Sequence, residues 1–241
     1  MRLTLTALAV VYGATAGLLV PRAAYRLAVE PEAPWRAECP GGHALPGWVG
    51  LARCWECGGG AYGPGAVVTA SVTAVVCALV AAAVGGRPEL GVWLLLVPFA
   101  VLLAAVDRSV HRLPDVVTLP LAAGSAALLG IAALLPGAGG NWIRALLGGL
   151  VLGGGYFVLF VVNPRGMGFG DVKLAIPLGV ALGWYGWGVL LVGAFTGFLL
   201  GAVYGMSLVV ARRASRGTVM PFGPFMLAGA FVGLLLGGLA V

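Results

Sequence analysis

The sequence predicts an all-α membrane protein, a polytopic bundle of about eight transmembrane helices with a small cytoplasmic loop after the first. Three observations predict it. Of the 241 residues, 61% are hydrophobic and only 9% charged, and mean hydropathy is +1.04; a globule in water could not hide so much apolar surface. The apolar residues fall into runs near the roughly 20 residues that a helix needs to cross the hydrocarbon core. More than half of the 41 glycines lie within those runs, where small residues let transmembrane helices pack closely.

The runs occupy 3–21, 66–84, 91–106, 117–136, 142–162, 172–184, 186–211 and 223–241. The first, opening "LTLTALAVVYGATAG" after Arg2, has the outline of a secretory signal, but its cleavage would export the basic, cysteine-bearing loop that follows, so it reads as a retained anchor. The sixth is the shortest and carries Lys173 near its start. It is expected to begin as a broken or partly buried segment, which lipid permits only where protein or water covers the freed backbone groups. The organisation is therefore a first transmembrane helix at 1–21, a cytoplasmic loop at 22–65 and a seven-helix body at 66–241. No repeat of solenoid or propeller period is visible.

Basic residues set the orientation. With the N-terminus and C-terminus outside, the loops facing the cytoplasm hold Arg22, Arg26, Arg36, Arg53, Arg108, Arg112, Arg165, Lys173, Arg212, Arg213 and Arg216, which is 11 of the 14 Lys and Arg. Only Arg2, Arg87 and Arg144 fall on the other side. The net charge of +6 is thus a topology signal of a multi-pass inner or plasma membrane protein. Spread over separate loops rather than gathered in one stripe, it argues against nucleic acid as a partner.

The loop contains "CPGGHALPGWVGLARCWECGG". Cys54 and Cys57 have the two-residue spacing of a zinc knuckle, and Cys39 with His43 would complete a tetrahedral set. The alternatives are reduced, unliganded cysteines or, with the topology inverted, a disulfide. Cys77, inside the second apolar run, reads as a small packing residue.

The chain has three aspartates, Asp107, Asp115 and Asp171, and all stand at the borders of apolar runs. A carboxylate at membrane depth costs about 2.5–3.5 kcal/mol on insertion scales, so such positions are functional by default. Two carboxylates facing each other share one proton. The ionised member can deprotonate a water while the protonated one donates to a peptide carbonyl oxygen. In "GMGFGD", residues 166–171, Gly166, Gly168 and Gly170 would let an extended substrate backbone approach Asp171. Helix capping is the competing explanation: Asp115 follows Pro114 and precedes an apolar run, and Asp171 also precedes one. Asp107 ends its run, where a negative charge opposes the helix dipole.

These stretches resemble the type IV prepilin peptidases, membrane aspartic proteases of the wider GxGD group. "VDRSVHRLPDVVTLP" at 106–120 is similar to that family's first aspartate region and "GMGFGDVKLA" at 166–175 to its second. "TVMPFGPFMLAG" at 218–229 and "AYRL" at 24–27 add to the likeness. The resemblance implies Asp107 and Asp171 as the catalytic pair, with no catalytic role for Asp115. It implies cleavage of the basic leader of a prepilin or pseudopilin at the cytoplasmic face, with no cofactor for the peptidase step. Lys173 would hold a carboxylate or a substrate group, or serve as an interfacial anchor. Gly42 stands where the second cysteine of the family's first CxxC pair would fall, with His43 beside it as substitute ligand. "GLLVPRAAYRL" lacks the Ser and Asn of the usual stretch after the first helix. Many members also methylate the new N-terminus with S-adenosylmethionine, an activity tied to the altered loop.

Two other classes compete. A proton-coupled carrier would place acids near helix centres in two related halves, whereas these lie at one face. A non-catalytic scaffold for pilus or secretion assembly would keep the bundle and not need both aspartates. The sequence carries no signal for oligomeric state.

Overall fold

The computed structural model describes residues 2–30, 32–164, 166–211 and 220–241. Among them the chain forms eight helices: α1 (Arg2–Leu27), α2 (Ala66–Val84), α3 (Glu89–Val110), α4 (Asp115–Ala133), α5 (Trp142–Val162), α6 (Phe169–Tyr185), α7 (Trp187–Val210) and α8 (Gly223–Ala240). All but α6 are long and apolar enough to cross a membrane. The loop after α1 holds a small antiparallel pair, β1 (Arg53–Cys54) with β2 (Gly60–Ala61). Arg165, Arg212, Arg213 and Arg216, which contribute to the expected orientation, lie outside the described residues, as do Thr218 and Val219.

Helix ends differ from expectation at three places. α1 runs through Pro21 to Leu27, so Arg22 and Arg26 belong to its last turns rather than to the loop. α3 extends to Val110, and His111 stops it in the left-handed region at φ 52°, its N–H donating to the Asp107 carbonyl at 2.8 Å. Asp107 is therefore inside the last turn of a helix. α6 starts at Phe169 rather than 172 and is continuous, not broken, while its twelve buried residues of 17 bear out the partly buried alternative. It packs on α4, α5, α7 and α8, so protein, not lipid, surrounds most of it, and a short helix starting with charged residues is tolerated.

Close packing of α6 depends on its glycines. Gly179 and Gly183 meet the α5 backbone at Gly148 and Ala145 so closely that a Cβ on Gly148 would strike the Gly179 carbonyl, the small-residue contact that brings membrane helices together. The two largest apolar clusters lie at different levels of the bundle. One surrounds Trp93, Leu129, Val180 and Trp184; the other, beneath the aspartates, surrounds Leu103, Tyr156, Leu174 and Met226.

The antiparallel order puts the starts of α4, α6 and α8 at the same end of the bundle as the end of α3. The opposite end is fastened by Glu89, which is 0% exposed. Its carboxylate accepts from the Gly139 amide at 3.1 and 3.3 Å and lies 3.9 Å from Arg87. Arg87 also donates to the carbonyls of Ala83 and Gly238, and Arg144 donates to those of Gly183 and Trp184. A buried carboxylate persists only when paired and hydrogen-bonded, and this one ties together the ends of α2, α3 and α8 and the α4–α5 loop. Two of the three basic residues expected on the far side are thus structural.

Candidate active site and metal-binding cluster

Asp107 and Asp171 are 4% and 8% exposed, and both line one cavity of about 750 Å³ at the end of the bundle. Each carboxylate is held by the first backbone amides of a helix. Asp107 Oδ2 accepts from the Gly223 N–H, at the start of α8, at 2.9 Å. A carboxylate at the C-terminal turn of its own helix is unfavourable, and the positive end of α8 offsets that. Pro221, Phe222 and Pro224 shape this start, since Pro224 needs no amide in the first turn. At Gly223 a Cβ would lie 2.7 Å from Asp107 Oδ2, so only glycine lets the carboxylate reach the amide.

Asp171 stands in the first turn of α6, where its Oδ2 accepts from the Gly168 N–H at 3.2 Å. It is therefore a cap and a cavity wall at once, so the two readings of the sequence coexist. Gly166, Gly168 and Gly170 all line the cavity. Gly170 also abuts Leu113, where a Cβ would lie 3.1 Å from the Leu113 Cβ, and Gly166 sits against Asn163. At Gly168 the nearest neighbour of a Cβ would be Asp171 Oδ2 at 3.6 Å, an ordinary contact.

Asp115 makes no capping hydrogen bond with its own helix start. Both its oxygens instead accept from Lys173 Nζ, at 2.6 and 2.7 Å, and the ammonium lies 4.9 Å from the Phe169 ring centre. This pair joins the first turns of α4 and α6 across the cavity mouth. His111, Arg112 and Phe222, to which the sequence assigned no site role, also line the cavity. Arg112 donates to the Glu30 carbonyl at 2.9 Å and so fixes the chain leaving α1 against the site. The partner of Asp107 was also invisible, because Gly223 lies 116 positions along the chain.

Cys39, His43, Cys54 and Cys57 converge in the loop, their ligand atoms all within 4.8 Å of one another. His43 Nδ1 lies 3.6 Å from Cys39 Sγ, 3.6 Å from Cys54 Sγ and 3.2 Å from Cys57 Sγ, and Cys39 Sγ lies 3.7 Å from Cys57 Sγ. Tetrahedral zinc, with bonds of about 2.3 Å to sulfur and 2.0–2.1 Å to nitrogen, demands edges of about 3.8 and 3.6 Å. The donor set fits such an ion. His43 Nε2 faces Glu56 Oε2 at 3.5 Å, the outer carboxylate that orients a ligating imidazole. Desolvation pushes the Cys39 thiol up, but hydrogen bonds from the His43 and Gly41 backbone and the His43 and Cys54 side chains outweigh it, bringing the thiol down to about 6. Hydrogen bonding to Cys54, then desolvation and the neighbouring Cys39, push Cys57 up to about 12. One thiolate is thus available near neutral pH, and the group as a whole can hold a metal ion.

Two buried aspartates from different helices line one cavity at the end of a bundle of helices long and apolar enough to cross a membrane, which puts the chain in the class of polytopic membrane proteins. Residues 94–206 match the model of the type IV leader peptidase family. The chain is similar to the prepilin leader peptidase/N-methyltransferase of Aeromonas salmonicida, 34% identical over 145 residues, covering 60% of this chain and 48% of that protein. To the protein of the same name from Pseudomonas aeruginosa it is 32% identical over 173 residues, covering 68% and 56%. To that of Pseudomonas putida it is 34% identical over 143 residues, covering 56% and 46%. The chain spans about half the length of the curated relatives it matches. No solved structure matches it. The family model and the relatives together support a type IV prepilin peptidase family for this multi-pass membrane protein.

Proposed function

We propose that the chain is a membrane-embedded aspartic endopeptidase that removes the leader of type IV prepilins or pseudopilins at the cytoplasmic membrane face, with Asp107 and Asp171 as the catalytic pair. The observation that carries this reading is the shared cavity, in which both carboxylates are buried and each is held by a helix-start amide. Close burial of two such groups favours a single proton between them. The ionised carboxylate takes a proton from water as its oxygen attacks the scissile carbonyl carbon, and the protonated one donates to the carbonyl oxygen. Collapse of the tetrahedral intermediate returns a proton to the leaving amine. Gly166 and Gly168 leave the Asp171 side of the cavity low enough for an extended backbone.

The basic residues Arg22, Arg26, Arg108 and Arg112 gather at the aspartate end, which supports placing that end in the cytoplasm and both termini outside. The loop would carry a structural zinc on Cys39, His43, Cys54 and Cys57, supplying a fold constraint and no chemistry to the dyad. The relatives' names also include N-methyltransferase. S-adenosylmethionine would supply the methyl group if the chain also carries out that reaction.

The test is cleavage of a co-expressed prepilin in membranes by the unaltered chain, Asp107→Asn and Asp171→Asn at matched expression. Loss of cleavage in both variants, about 10²–10⁴-fold if each carboxylate acts in proton transfer, is the expected result. Cleavage surviving either change would overturn the dyad and make Asp115 the next candidate, whereas no cleavage by the unaltered chain would favour a scaffold.

A further inference from the structure

The loop segment Pro46–Leu51, "PGWVGL", folds back along α1 rather than extending away from it. Gly50 N–H donates to the Leu19 carbonyl at 3.0 Å and the Arg22 N–H donates to the Gly50 carbonyl at 3.1 Å. Pro21, buried within α1, has no amide to donate, which loosens the helix where the loop docks. Gly50 adopts φ +125°, and a Cβ there would also lie 3.3 Å from the Arg22 guanidinium carbon.

The depth of this docking follows from the length of α1. Its 26 residues span about 39 Å at 1.5 Å each, against a hydrocarbon core of about 30 Å. With Arg2 at the outer boundary, Leu19–Arg22 stands at the inner edge of the hydrocarbon, and so does Gly50. Irregular backbone survives at that depth only if its polar groups are satisfied by protein. Here they are. Arg22 donates to the carbonyls of Pro46, Val49 and Leu51, Arg26 to that of Gly47, and the backbone N–H of Arg22 to that of Gly50. Two arginines, the residues expected to face water, are spent on loop carbonyls.

The side chains point the other way. Trp48 is 43% exposed, Val49 56% and Leu51 40%, continuous with exposed Leu18 and Leu19 on α1. The Trp48 ring lies under the Arg26 guanidinium at 4.4 Å and against Trp35 at 5.1 Å, edge to face. Tryptophan with arginine is the pairing that settles at the headgroup boundary, where the ring is half apolar and the cation meets anionic lipid.

We propose that Trp48, Val49 and Leu51 form a membrane-inserted tip whose partner is the lipid of the cytoplasmic-side leaflet, so that the metal-binding loop is anchored to the bilayer beside the site rather than suspended in water. Trp55, 79% exposed beyond the metal cluster, is the internal contrast and faces solvent. The proposal rests on the membrane crossing of α1 and not on the peptidase reading.

The test uses the full-length protein in bilayer nanodiscs with and without lipids brominated near the headgroup end of the acyl chain, in a Trp35→Phe background. The expected result is that Trp48→Phe removes part of the emission quenched by the brominated lipid and leaves quenching by aqueous acrylamide unchanged, while Trp55→Phe does the reverse. Both variants keep an aromatic ring, and unchanged metal content confirms an intact loop. Emission from Trp48 quenched by acrylamide alone would overturn the proposal, as would emission quenched by neither agent, which would mean that protein covers the tip.

Discussion

Substituting Gly223 with alanine tests how the first aspartate is held. The new Cβ would lie 2.7 Å from Asp107 Oδ2 and 3.2 Å from Cγ, whereas ordinary contact begins at about 3.4 Å, so the carboxylate must retreat by about 0.7 Å. That retreat lengthens the 2.9 Å bond from the Gly223 amide; a hydrogen bond to a charged group is worth about 1.5–3 kcal/mol. Displacement of a reacting group on the 1 Å scale costs about 10²-fold in rate, so Gly223→Ala should lower prepilin cleavage by about that factor. The assay is leader removal from a co-expressed prepilin in membranes, with the amount of folded enzyme matched by detergent-solubilised yield. Gly91→Ala, at a position where a Cβ meets nothing within 4 Å, is the control and should cleave normally. Cleavage by Gly223→Ala within about threefold of the unaltered protein would refute the reasoning, since it would mean that the amide contact does not set the dyad.

Three further outcomes are expected. Asp115→Asn breaks a partly exposed ion pair worth about 1 kcal/mol or less; the thermal midpoint should fall by no more than about 2–4 °C, with cleavage reduced less than by either dyad substitution, both read on one preparation. Elemental analysis should find one zinc per chain, lost in Cys54→Ser, and Glu56→Gln should weaken zinc binding by about 10–100-fold. Zinc must displace the proton from Cys57, whose thiol is pushed up to about 12, so affinity in a competition titration should drop as pH falls, about tenfold per unit for each proton displaced. Glu89→Ala should cost about 3–5 kcal/mol by leaving Arg87 and the Gly139 amide without their buried partner, seen in denaturant unfolding, while the folded fraction cleaves at the normal rate because the aspartates sit at the other end.

The helices were legible because each apolar run meets the length that a bilayer imposes, and lipid leaves few other options for the backbone. Their ends were less so. The first apolar run ends at 21, but α1 continues through Pro21 to Leu27, with the adjoining loop supplying hydrogen bonds to that turn. The candidate metal ligands could be named from the spacing of Cys54 and Cys57, with His43 as the substitute beside Gly42, and the four side chains converge. Asp107 and Asp171 stood out as rare charges at membrane borders, but nothing local in the sequence identifies the α8 amide that holds Asp107 or the pairing of Asp115 with Lys173. Both contacts join distant segments, and only the packed bundle brings them together.

The α5–α6 contact also bears on how a substrate helix could be admitted. With Gly148 and Gly179 backbone against backbone, α6 has no side-chain cushion to compress, so Asp171 rides on a post that cannot yield without dismantling the bundle. Asp107 is tethered to α8, which in turn lies backbone to backbone on α7, Gly229 against Gly193 and Gly197. Each carboxylate therefore touches a helix pinned backbone to backbone, and the span between the two is set by glycine contacts deeper in the bundle.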